Sequence, residues 1–498
     1  MRKVIQAQMN LGEEDIAKIQ LDPRSRDDIP QLLAGLQTIY TTPELRDAVF
    51  GILATLLPPR AGQAKSGQAS RDKGRPGMEQ WKILVLGTLR LGLNADYDRI
   101  HELANEHRTI RQMLGHGFLD DEKKYTVQNL KDNLRLFTPE LLDQINREVV
   151  RAGHRLLKKK DDAPQQISGR CDSFVVETNV HFPTDINLLY DAIRKTMEES
   201  ANWSQRYGLT LWRQSECNIR RFKKLYRTIQ KQKHSTSKDE EKGKRQEEKI
   251  QQAHQVYLDQ AEHYLERARL TRELLHTKYG VLWVFMGALH EYIGHAERQI
   301  DQIRRRVLQD EKIPHNEKVF SIFQPHTEWI SKGKAGVPVE LGLRVCVLED
   351  SMGFILHHRV MQNETDDQVA VPMVSECRER FPALRLCSFD KGFHSPQNQI
   401  QLKTELEKVV LPKKGRLSVA DQERESDPEF CQARRKHSAV ESAINALEVH
   451  GLDLCPDHGL EGFKRYVALA VVARNIQRLG AIVRKLETKK RGPYKKAA

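Results

Sequence analysis

This 498-residue chain lacks every pattern that would read as a disulfide framework or a zinc ribbon. Its seven cysteines are odd in number and scattered, with no C-x-x-C pair, so they read as reduced thiols. There is no run of about 18 apolar residues, and no transmembrane helix is expected. The opening MRKVIQAQMNLGEED turns acidic too early for a secretory apolar region. A zinc-protease helix is missing too. His290 and His295 in His290-Glu291-Tyr292-Ile293-Gly294-His295 stand five positions apart, whereas that motif needs i and i+4 on one helical face. The mismatch is about 100° on a 3.6-residue helix. These absences point to a soluble, intracellular protein with no membrane partner.

What is present is charge. Charged residues make up 30% and hydrophobic residues 39% of the chain, enough for a sizeable core beneath a polar surface. Lys and Arg total 81 against 68 Asp and Glu, a formal charge of +13. Such an excess favours a polyanionic partner, most often nucleic acid, over a merely solvated basic surface.

Residues 1–60 read as a helical N-terminal region, with Leu45, Val49, Ile52 and Leu53 on one helix face. Residues 61–78 have the composition of a basic linker. Within it, Lys73-Gly74-Arg75-Pro76 resembles a minor-groove hook, in a match so short that a plain linker is the better account. Residues 79–155 form a second helical block, marked by Trp81, Leu84, Val85, Leu89 and Leu91. Its successive short helices suit a helix-turn-helix DNA reader, and suit a bundle that only packs about equally well.

The texture changes at Cys171–His181, a β-branched and aromatic strand that carries Asp172. Residues 193–310 read as one long helical hairpin inserted into another domain. Tyr257, Ala261, Tyr264, Ala268 and Leu275 keep a three-to-four spacing on its returning arm. Strands return at 339–348 and 354–361, joined at Met352-Gly353 as a hairpin. A helix is expected over 366–381. A strand over 384–390 then ends on Asp390 with a glycine turn behind it. A carboxylate at the tip of a buried strand is costly unless something pairs with it; an ordinary surface or capping role is the bland alternative. A helix, a short strand at Val409–Leu411 and a long helix from Arg434 through Glu441 to Glu448 follow. A last helix precedes a basic tail at 481–498.

With the insertion set aside, strands and helices follow the order of an α/β ribonuclease-H-like domain, built from 165–192 and 311–480 and preceded by the all-α DNA-binding region. In that fold the first and fourth strands are neighbours at the sheet centre. Asp172 and Asp390 would then lie together, with Glu441 on a helix across the sheet. Three carboxylates so placed could hold two Mg²⁺ ions about 3.5–4 Å apart, and Mn²⁺ could substitute. Glu177, Asp185 and Glu448 are the acidic neighbours. Glu177 stands at an odd offset from Asp172 and faces the other side of the strand. Asp185 lies past the strand end, and Glu448 is two helical turns beyond Glu441.

Further stretches carry a family likeness: Asp172 with Thr178-Asn179-Val180-His181-Phe182-Pro183-Thr184-Asp185; Phe323-Gln324-Pro325-His326-Thr327 with Lys332-Gly333-Lys334; Asp390-Lys391-Gly392-Phe393-His394-Ser395 with Leu411-Pro412-Lys413-Lys414-Gly415; and Arg434-Arg435-Lys436-His437 running into Glu441. Asn445–Leu452 and Ala473-Arg474-Asn475-Ile476 extend it. On these residues, from about 79 to 480, the chain resembles the DDE transposases of bacterial insertion sequences, of the ISNCY family. The resemblance implies Asp172, Asp390 and Glu441 as a metal-binding catalytic triad and in-line cleavage and transfer of double-stranded DNA at element ends. It implies a cytoplasmic, nucleoid-associated protein acting as a dimer or higher assembly. Lys332, Lys334, Lys391, His394, Lys413, Lys414, Arg434, Arg435 and Lys436 are the expected DNA contacts. A stand-alone nuclease of the same fold and an inactive DNA-binding protein are the alternative functions.

Overall fold

Side chains that alternate along Ile167–Thr178 set the layering. Ile167 and Cys171 enter one apolar cluster, whereas Phe174 and Val176 enter another. A strand apolar on both sides belongs inside a sheet covered on both faces. The computed structural model, which describes residues 3–6, 9, 12–22, 25–56, 77–117, 124–158, 166–232, 239–331 and 338–491, has that arrangement. Its strands are β1 (Ile167–Thr178), β2 (Glu328–Ser331), β3 (Val339–Asp350), β4 (Ile355–Val360), β5 (Leu384–Phe389), β6 (Lys408–Val410) and β7 (Leu454–Cys455). They form one mixed sheet in the order β2-β3-β1-β5-β6, with β4 also on β3 and β7 also on β1.

β3 runs antiparallel to both β1 and β4, and Asp172 stands opposite Val347. β5 runs parallel to β1, with Cys171 opposite Phe389, and β6 continues parallel to β5. The β3–β4 turn needs a left-handed residue, which Gly353 supplies at φ 82°. Helices Asp366–Arg380 and Pro396–Glu405 cover one face through Val369, Met373, Val374 and Leu402. Helices Asp28–Thr41, Gln80–Gly92, Pro139–Leu157 and Leu460–Arg491 share the cluster on the other.

The chain divides into two compact units, Met1–Asn179 with Ile330–Ala498, and Val180–Trp329. Three boundaries differ from those read in the sequence. Residues 1–60 and 79–155 are not separate modules, because their helices bury Leu32, Leu36, Trp81, Leu84 and Leu142 in one cluster with the sheet and the last helix. The last helix continues to Arg491, through the start of the expected tail, with Ile482 buried. Residues 492–498 lie outside the described part. By length and composition the stretch Leu460–Lys489 could cross a membrane, but 78% of its most apolar window is buried as a core helix.

The second unit is wider than 193–310 and is more than a hairpin. Its helices Asp185–Arg206, Ser215–Lys231, Glu240–Tyr279 and Gly287–Ile303 close around Leu189, Ile193, Phe222, Tyr257, Ala261 and Leu289. Helix Asp185–Arg206 crosses the expected boundary because Leu188, Leu189 and Ala192 are core residues of this unit. Phe222 stacks on Tyr257 with ring centroids 4.6 Å apart.

Candidate active site

Asp172 sits mid-strand on the Phe174 and Val176 side of β1, half-buried. One carboxylate oxygen accepts the Ser173 backbone N–H at 2.8 Å. Burial pushes its pKa up to about 6, and repulsion from Asp390, Asp366 and Glu441 adds to the rise. Four carboxylates from distant parts of the sequence therefore share one electrostatic neighbourhood, which is the arrangement from which perturbed catalytic groups are recruited.

Asp390 is placed by the end of β5. The strand stops at Phe389, and Asp390 is an exposed, extended residue heading the short turn Lys391–Phe393. It is thus not the buried strand tip anticipated, because the inward-facing position is taken by Phe389. Phe389 and Phe393 pack 5.7 Å apart beneath the turn. Gly392 has a steric reason: a Cβ there would lie 2.8 Å from Oδ2 of Asp366.

Glu441 stands in the first turn of helix Ala439–Leu447, whose buried stripe is Val440, Ala443 and Leu447. That stripe leaves Glu441 exposed at a helix N-terminus, where the backbone dipoles favour a negative charge. The long helix expected from Arg434 to Glu448 is in fact two. Helix Pro428–His437 stops at Ser438, whose hydroxyl donates to the Arg435 carbonyl at 2.9 Å. A local side-chain bond of this kind competes with helix continuation.

Two residues at the site were not singled out by sequence. Asp366 begins helix Asp366–Arg380 and accepts the Ser173 hydroxyl at 2.6 Å. An acid after Thr365, at a capping box, looks like any helix start, so nothing local marks it. His437 had been counted only as part of a basic run. Its Nδ1 is 3.0 Å from the Ser388 hydroxyl, while its Nε2 is buried with no hydrogen-bond partner. Burial lowers the His437 pKa, while Asp390 and Glu441 pull it upward and Arg170 adds to the lowering.

Comparisons with protein-family models, with curated proteins and with solved structures find no match to this chain.

The remaining acids do not join the cluster. Glu177 is exposed. Asp185 opens a helix of the second unit and pairs with Arg306 at 2.6 Å. Glu448 opens a π-turn that follows helix Ala439–Leu447. The expected cations divide in two. Lys413 is taken up by Asp421, with its own backbone N–H on Glu425 at 2.7 Å, and Arg434 reaches Glu425 at 3.7 Å. Burial lowers the His394 pKa, and Arg424 and Lys413 add to the effect. Lys391, Lys414, Arg435 and Lys436 are exposed and form no ion pair among the described residues. Lys332, Lys334 and the Lys73–Pro76 stretch lie outside the described residues.

An all-carboxylate donor set suits a hard divalent cation such as Mg²⁺. Two features fit such an ion: the repulsion that Asp172 carries from three other acids, and the orphaned His437 Nε2 in the field of Asp390 and Glu441. Among the described residues, no group of three His, Cys, Asp or Glu side chains is drawn together into a ready coordination shell. The donors therefore fit in kind, as separate arms rather than a closed cage.

Proposed function

We propose that this chain is a DDE-type transposase, which binds the ends of an insertion sequence, cleaves them and joins them to target DNA. One observation carries the reading: Asp390, just past the end of the strand beside that of Asp172, and Glu441, on a helix, both repel the Asp172 carboxylate. The strand order supports it. An antiparallel β4-β3-β1 followed by parallel β5 and β6 is the order expected of a ribonuclease-H-like domain.

In this reading Asp172, Asp390 and Glu441 would hold Mg²⁺, which supplies activation of an attacking water or 3′-hydroxyl and stabilisation of the leaving oxygen. The chain's own part is positional. Ser173 fixes the Asp172 carboxylate through its N–H, and its hydroxyl ties Asp366 to the same strand. Lys391, Lys414, Arg435 and Lys436, which form no ion pair among the described residues, offer cations for phosphates, contacts that position DNA without reading its sequence. No side chain serves as a nucleophile in this scheme, so no covalent enzyme–DNA intermediate forms.

The test uses the purified full-length protein, Mg²⁺ and a duplex carrying the DNA that flanks this reading frame. Cleavage at the element end and joining to a plasmid are expected. Cleavage without joining indicates a nuclease, and binding without chemistry in Mg²⁺ or Mn²⁺ indicates a DNA-binding protein. Asp172→Ala, Asp390→Ala and Glu441→Ala should each abolish strand transfer and leave end binding intact. Full activity in any one of them removes that residue from the triad.

A further inference from the structure

Helix Ser215–Lys231 carries Arg220, Arg221, Lys223, Lys224, Arg227 and Lys231 against a single carboxylate, Glu216. All six cations are exposed. The packing makes them so: Asn218, Phe222 and Ile229 are the buried side, and the Phe222–Tyr257 stack fixes the rotation of the helix. Like charges three and four positions apart destabilise an isolated helix, so this face costs stability that something other than folding must justify.

Among the described residues, no carboxylate of another helix forms an ion pair with it. Only Arg220 has an ion pair among the described residues, a 3.7 Å contact with an almost fully exposed Glu216. Two carboxylates on neighbouring helices are engaged elsewhere, Glu262 with Arg304 at 2.7 Å and Glu297 with Arg269 at 2.6 Å. Glu198 holds Arg194 and Lys195, and Arg305 gathers Asp301, Glu311 and Glu317. Arg221 also lines a groove whose other wall brings His263 and Arg267 of helix Glu240–Tyr279. The carboxylate in that groove, Asp259, accepts the Gln255 amide at 2.6 Å.

We infer that this face is a binding surface for the phosphate backbone of double-stranded DNA, built from residues other than the candidate catalytic carboxylates and their expected DNA contacts. The helix is about 25 Å long, and duplex DNA offers about one charge per 1.7 Å of axis, so one helix can meet several phosphates. A membrane surface fits less well, because none of the exposed large apolar side chains lies on this helix and an interfacial helix needs an apolar face in the lipid. The inference rests on the transposase reading for its choice of DNA as the polyanion.

The experiment compares wild-type full-length protein with a Lys223→Gln/Lys224→Gln/Arg227→Gln variant. Affinity for a fluorescent duplex of arbitrary sequence is measured by anisotropy across a salt series, with thermal melting as a check on folding. The variant should melt like wild type and bind at least about tenfold more weakly at low salt. Its slope of log affinity against log salt should be shallower by about 2–3, near 0.9 per lost phosphate contact. Wild-type DNA binding with an unchanged variant slope and affinity overturns this inference alone. A wild-type protein that binds no duplex at any salt overturns the transposase reading as well. Equal affinity for polyglutamate, equally lost in the variant, would replace DNA by an acidic polypeptide.

Discussion

Asp350 shows how a single buried charge can be structural. It is fully buried at the β3–β4 turn, where one oxygen accepts the Met352 and Phe354 N–H groups at 2.8 and 2.9 Å. The other lies 2.6 Å from His154 Nε2. Asp350→Ala would remove the carboxylate that two amides and an imidazole share, at a cost of about 3 kcal/mol. A shift of less than about 1 kcal/mol in urea unfolding would mean that water replaces the carboxylate. Its neighbour Glu349 behaves differently. Burial pushes its pKa from 4.5 up to about 7, although Arg170 opposes the rise from 2.9 Å. A carboxyl raised on folding adds stability that is complete below its unfolded value and is lost as pH rises through the folded value. The urea midpoint should therefore fall between about pH 5 and pH 8, and Glu349→Gln should flatten that fall. An unchanged pH profile in the variant would assign the dependence to another group.

Helix pairing explains why the N-terminal helices belong to the sheet domain. A Cβ on Gly35 would lie 2.1 Å from the Ile476 carbonyl oxygen, and one on Gly480 would lie 2.0 Å from that of Gln31. Helices Asp28–Thr41 and Leu460–Arg491 therefore cross at a contact that only glycine permits. The opposing atoms are backbone, so Gly35→Ala cannot be relieved by a rotamer change and should cost about 3 kcal/mol. Protease cutting within 28–56 should rise in step. Uncut helices at normal stability would show that the crossing can slide apart. A glycine inside a helix reads in sequence as a weak helix former, so this contact was invisible there. The mixed α/β sheet was readable, because the β1 and β3–β4 segments alternate and helices separate the later strands. The break at Ser438 and the place of Asp366 were not. Both arise where a local hydrogen bond or a remote loop decides, and no periodicity records either.

At the scale of the whole molecule, the helical unit has the marks of an autonomous insertion. Its entry and exit meet: Phe182 and Trp329 stand edge to face with ring centroids 5.5 Å apart, and Phe320 lies 5.7 Å from the same Trp329. A segment whose ends touch can be closed off at little loop-entropy cost. It also has its own apolar cluster, running from Leu188 to Ile322 and confined to this unit. A buried core and adjacent ends are what independent folding requires. Val180–Trp329 made alone should show helical circular dichroism and a cooperative melt. Replacing 183–328 by a short Gly-Ser linker should leave the sheet unit folded, because the clusters on both faces of the sheet draw no residue from the insertion. A broad, non-cooperative melt of the fragment would mean that its four helices depend on the rest of the chain. Unfolding of the sheet unit on loss of the insertion would mean that it too depends on the insertion, and the two proteins together decide whether the chain folds as one cooperative body or two.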